Sequence, residues 1–353
     1  MLGDNKQIIS DIENSNVQQA RRDINNFIIL GESTLGDIIH DVVRTELNIV
    51  TKEAYEQFNQ ILEEFKKHFT DELAKLKNLH DVINKFREPK YQFILHDTIK
   101  EYTQTNNEET KADLIDILIE GLQVDENSTE QFVIEEARYI VPRLSISSVH
   151  FLGTMLLRKV VYGNHPYILT TNLKEHAKMY NHLDKVTKLD IAFLQQLGCL
   201  DTMGLQYNIT IEEEMKRKYD MYFRQSPNIE DYNALIVQYP EITSADLVHK
   251  DIDNQLCFHK ISTKLYEEEL KQKGMQTLIP PIKHFIDSYP LFTDEEIKDK
   301  LITINPLWEN AIRLFADENV KSLKLSPVGA YIANRIVQKE KMHVPSATLK
   351  ELF

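Results

Sequence analysis

Between Phe58 and Ile83 apolar residues recur at steps of three and four: Phe58, Ile61, Leu62, Phe65, Phe69, Leu73, Leu76, Leu79 and Ile83. A helix turns once every 3.6 residues, so this spacing places them on one side, with Glu and Lys elsewhere. The pattern predicts one long amphipathic helix from about Lys52, ended by Pro89. Such a seam has two uses. It lies on the chain's own core, or it pairs with another helix in a coiled-coil-like contact. Self-association would be carried by Phe58, Leu62, Phe65, Phe69, Leu73 and Leu76.

The rest of the chain reads in the same way. Only 10 glycines and 11 prolines punctuate 353 residues, too few for a sheet-rich fold of this size. The expectation is all-α: a multi-helix body with short extended pieces. Helical spacing recurs from Leu35 to Leu47, in "YQFILHDTIKEYTQT", and in "KADLIDILIEGL", which is expected to stop at Gly121. Ser128, followed three residues later by Gln131, matches a capping box, and the serines of "SISSVHFLG" can cap the next helix. Thr293 fits an N-cap, as does Ser326 before Pro327. "NQLCFHKIS" fits a strand or a helical turn equally well. The boundary candidate is "YGNHPYI", giving an arm at 1–33, a helical domain at 34–162 and a second at 163–353.

Charge and cysteine usage narrow the function classes. Forty-one basic against 55 acidic residues leave a net charge of −14, a poor balance for general binding to phosphate backbones. Nucleic acid is therefore not the expected partner. Two distant cysteines, Cys199 and Cys257, fit a reducing compartment, and the start "MLGDNKQIISD" lacks the pattern of a secretory signal. No stretch is long and apolar enough to span a bilayer. A cytoplasmic protein is expected.

Motifs for catalysis are scarce. There is no H-E-x-x-H, C-x-x-C, G-x-S-x-G or phosphate-binding glycine loop. Cys257 and His259 form a C-x-H, but Cys199 is the only other thiol for a four-ligand zinc site. Neither a metal nor another cofactor is expected. Asp113, Asp116 and Glu120 share a helix face and would suit a magnesium-dependent nuclease; the solvated face of an amphipathic helix is the preferred explanation. "TIEEEMKRKYD" reads as charge-laced surface. The C-terminal "KSLKLSPVGAYIANRIVQKEK" carries Lys321, Lys324, Arg335, Lys339 and Lys341, and its extended piece plus capped helix could form a winged-helix-like unit that meets DNA. Val328, Tyr331, Ile332, Ile336 and Val337 instead give that helix an apolar side for burial.

Two stretches carry resemblances. The opening "MLGDN", followed by "QARRDI" at Gln19–Ile24, resembles the N-terminus of an uncharacterised bacterial family with a Gln-Ala-Gly-Arg-Asp element before an all-helical body. This chain has Arg21 where that family has glycine, so a left-handed turn there is in doubt. "DLIDILIEGL", "FVIEEARYIVPRLS", "FLGTMLLRKV", "LQQLGCLD" and "LKLSPVGAYIA" are similar, in order, to segments of alpha-type abortive-infection proteins. The resemblances imply a bacterial cytoplasmic factor connected with phage defence, and they supply no catalytic residues.

The favoured expectation is a non-enzymatic protein that acts through protein contacts, with itself and with another defence protein. Its assembly element would be Gln19, Arg21, Arg22, Asp23, Ile24 and Phe27, beside the Phe58–Leu76 seam. The alternatives are a metal-dependent nuclease or other toxic effector, and a DNA-binding regulator using the C-terminal helix.

Overall fold

The computed structural model describes residues 52–162, 165–202, 209–250 and 256–342. They form an all-α fold with two short strand pairs. The arm residues Gln19, Arg21, Arg22, Asp23, Ile24 and Phe27, and the expected helix at 35–47, lie outside the described residues. Two compact units divide between Leu144 and Ser145, not at 162/163. The difference is the helix Ile146–Leu157, which packs along the C-terminal helix Pro327–Lys339 in the second unit. Nothing local in the sequence announces that long-range contact.

In the first unit, α1 (Lys52–Leu73) and α2 (Leu79–Lys85) replace the single expected helix. Tight backbone bonds close the turn between them, Lys75 N–H to Glu72 and Leu76 N–H to Leu73, both at 3.1 Å. No glycine or proline marks this break; folding α2 back onto the core decides it. Pro89 opens α3 (Pro89–Gln104) at its first position, where its missing N–H is not needed. Asn107 caps α4 (Glu108–Gln123), accepting from Glu109 and Thr110 N–H. Gly121 lies inside α4 instead of ending it: a Cβ there would come 3.3 Å from Ile134 of α5 (Thr129–Ile140), so it permits close helix packing.

The seam serves this unit's core. Leu62, Phe65, Phe69 and Leu73 are at most 3 % exposed, while Phe58 and Leu76 are partly buried against the same cluster. A self-association seam needs those side chains at the surface. Here they meet Tyr102 and Phe86 edge to face, with centroids 5.1 and 5.9 Å away.

In the second unit, Ser145 caps α6 (Ile146–Leu157). It is followed by α7 (Pro166–His176), α8 (Lys188–Gln196), β1 (Leu200–Thr202), α9 (Ile211–Lys218) and α10 (Ile229–Gln238). β2 (Val248–Lys250) and β3 (Leu256–Phe258) pair antiparallel with His249 facing Cys257, so the described strand within "NQLCFHKIS" is Leu256–Phe258 alone. Then come α11 (Thr263–Gln272), α12 (Ile279–Asp287), α13 (Asp294–Ile304), α14 (Trp308–Leu314), α15 (Glu318–Lys321), β4 (Leu323–Leu325) and α16 (Pro327–Lys339).

Antiparallel pairing of β1 with β4 matches Leu200 to Leu325 and brings "LGCLD" and "LSPVG" together. Ser326 N–H donates to the Cys199 carbonyl at 3.0 Å, and its hydroxyl caps α16 at Gly329 N–H. The chain passes so close that a Cβ on Gly329 would lie 2.0 Å from the Cys199 oxygen. Only glycine fits there. α16 is a core helix: Val328 through Ala333 are buried, and only Pro327 and Lys339 among its residues are exposed. A DNA-reading helix would need the side that α16 spends on packing. Its preceding strand pairs with β1, from far earlier in the chain, and thereby serves the core.

Candidate functional site

Three places in the second unit gather chemistry-bearing side chains. The most buried is built on α9, the helix of "TIEEEMKRKYD". Thr210 and Glu213 form a reciprocal capping box that fixes its start. Glu214, one residue on, turns inward and is 3 % exposed. This corrects the reading of the segment as wholly solvated charge. Arg158, just past α6, donates Nε and Nη2 to Glu214 Oε2 at 2.8 and 2.7 Å. Lys218 reaches Glu214 Oε1 at 2.7 Å and also donates to the carbonyls of Arg158 and Val160. Burial pushes the Lys218 pKa down, with Glu214 opposing. Burial, then Glu214, pushes the Tyr180 and Tyr219 phenols up.

Beside this cluster runs a narrow cleft lined by Tyr162, His176, Tyr180 and Trp308. The Tyr162 hydroxyl lies 2.8 Å from His176 Nε2, so that histidine is a partnered core residue. Trp308 Nε1 donates to the Leu173 carbonyl at 3.1 Å. Glu214 takes both cations and both cations find further acceptors or contacts, which makes the cluster a tie between α6 and α9.

The second gathering surrounds Lys300 on α13. Its ammonium lies 3.9 Å from the Tyr222 ring centroid and 5.3–5.4 Å from those of Phe292 and Phe223, and donates to the Tyr222 carbonyl at 2.9 Å. Burial lowers its pKa to about 8. Close by in sequence to Cys257 of β3, His259 packs edge to face with His165 and His249 at 5.1 and 5.2 Å between centroids. The C-x-H pair thus has histidine neighbours from elsewhere in the chain, which spacing alone could not reveal. Among the described residues, however, no group of three or more His, Cys, Asp or Glu is arranged to hold a metal. That includes Asp113, Asp116 and Glu120, which sit half-buried along α4 of the first unit without converging.

The third is a surface. α10 carries Tyr232 and Leu235 against a cluster around Phe285 and Ile286, yet none of its residues is buried. Ile229, Asn233, Ile236 and Val237 line its other side at helical spacing, with Val237 83 % exposed. α8 shows a smaller case: Ile191 and Leu194 point inward while Leu189, 79 % exposed, and Phe193 share the opposite side. Apolar side chains aligned on an uncovered helix face mark interaction surfaces more than scattered single ones do.

A protein-family model described only as ":-like" matches residues 33–350. The chain belongs to that family. Its description names no activity. No curated protein and no solved structure matches the chain. No helix among the described residues is long and apolar enough to cross a membrane.

Proposed function

We propose that this protein works through contacts with other protein chains, a second copy of itself first among them. The observation that supports this is α10, a helix with no buried residue, on which Ile229 and Val237 are exposed and Ile236 is half-buried. The Leu189–Phe193 face of α8 supports it independently. The segment at Gln19–Phe27 remains the proposed assembly element, and the likeness to abortive-infection proteins makes a role in cytoplasmic phage defence, beside another defence protein, the proposed setting. Light scattering tests the assembly step on the full chain and on a chain lacking residues 1–33. Loss of mass per particle on deletion supports the arm's role. Identical monomeric masses for both would reject self-assembly.

A further inference from the structure

His165, His249 and His259 come from separate stretches of the second unit and meet ring against ring. His259 sits in the middle, edge to face with His165 at 5.1 Å and with His249 at 5.2 Å between centroids. All three are half-buried. They do not gather round a metal position; their contact is imidazole on imidazole. Two of them also hold backbone in place. His165 is the N-cap of α7, its Nδ1 accepting from Tyr167 N–H at 3.2 Å. His259 N–H donates to the Leu247 carbonyl at 3.0 Å, which extends the pairing of β3 with β2 past Phe258. The ring contacts therefore join the start of α7 to the strand pair.

These contacts need neutral rings. An imidazole accepts at Nδ1 only when that nitrogen carries no proton, and a charged ring would face the positive end of the helix it caps. The surrounding charge is poorly matched to further cations. Lys260 adjoins His259, although Glu269 holds its ammonium at 2.9 Å. Lys250 ends β2, and Lys300 lies within electrostatic reach of Cys257, which faces His249 across the strands. Asp246 is the carboxylate that opposes them. Burial first, then Lys260, His249 and His165, lowers the His259 pKa from its ordinary value. The folded contact prefers the neutral ring, so it is complete above about pH 6.5 and weakens as acid adds protons. A second proton puts like charges side by side in a half-dried site. We propose that these three histidines form an acid-sensitive latch, closed near neutral pH, whose protonation releases the first turn of α7 from the β2–β3 pair. This goes beyond protein-contact function and does not depend on it.

Hydrogen exchange read by mass spectrometry on the full chain at pH 7.5 and pH 5.5, with rates corrected for the intrinsic effect of pH, tests the proposal. Protection in peptides covering 166–173 and 256–262 should fall at least about tenfold at pH 5.5, while peptides from α9 in the same unit keep theirs. His165→Asn caps α7 at either pH, because an amide oxygen accepts without titrating. Combined with His259→Gln, it should retain the local protection at pH 5.5. If that double variant does not fold at pH 7.5, His165→Asn alone should still lose less protection at 166–173 than the parent. Unchanged protection of the parent at pH 5.5, a loss shared equally by α9, or an equal local loss in a folded variant would each overturn the proposal.

Discussion

Gly329→Ala should destabilise the second unit, although alanine favours a helix over glycine by about 1 kcal/mol. Gly329 is the third residue of α16, so helix propensity alone predicts a gain. The geometry reverses the sign. The added Cβ would lie 2.0 Å from the Cys199 carbonyl oxygen and 2.8 Å from its carbon, so α16 and the end of α8 must separate by about 1 Å to reach even a tight contact of about 3 Å. Overpacking of this kind costs about 1–3 kcal/mol. The same displacement stretches the 3.0 Å bond from Ser326 N–H to Cys199, and the Ser326 hydroxyl's bond to Gly198, each worth about 1 kcal/mol. After subtracting the propensity gain, a net loss of about 2–4 kcal/mol remains. For a domain of this size that lowers Tm by roughly 5–15 °C. Scanning calorimetry of the parent and the variant measures it. An unchanged or higher Tm would show that the close approach of α16 to Cys199 is wrong.

Glu214→Gln leaves Arg158 and Lys218 buried without their carboxylate, and breaking such a pair costs about 3–5 kcal/mol; denaturant unfolding showing a loss below about 1 kcal/mol would contradict the burial of Glu214. Thr293→Ala removes the side chain that accepts from Glu296 N–H at the start of α13, with an expected loss of about 1 kcal/mol in the same assay; no loss would mean that the cap is idle. His150 gives a pH dependence: burial, chiefly, and His182 push its pKa below 6.5, while the Met179 carbonyl at 2.8 Å and Glu340 oppose. The folded chain then prefers the neutral ring. Its stability is full above about pH 6.5 and falls as acid protonates the unfolded chain preferentially. The Tm should drop between pH 7 and pH 5, less steeply in His150→Gln, and equal slopes would refute the assignment.

What the sequence made legible was local. Ser128, Ser145, Thr293 and Ser326 could each be read as caps because the partner N–H lies two or three residues away, and each does cap. The apolar seam was legible as helix, since its period is set by the residues themselves. Its break at 74–78 was not, because tertiary packing, with no glycine or proline, ends α1. The destination of α6 depends on α16, nearly two hundred residues on. Glu214 looked like its acidic neighbours, and only the approach of Arg158 from another helix distinguishes it. Arg138, within "EEARYI", likewise reads as surface charge until its neighbours are in place. Residue type and spacing fixed neither case, because the deciding partners are remote in sequence.

The central claim, that the chain assembles through exposed apolar helix faces, is tested most directly by its mass in solution. Light scattering over a concentration series should give the full chain a mass above the 41.3 kDa of one copy. Ile229→Glu with Val237→Glu, both on the uncovered side of α10, should shift that mass toward a single chain without lowering Tm. A parent chain of 41.3 kDa at every concentration, or a double variant that assembles as the parent does, would contradict it.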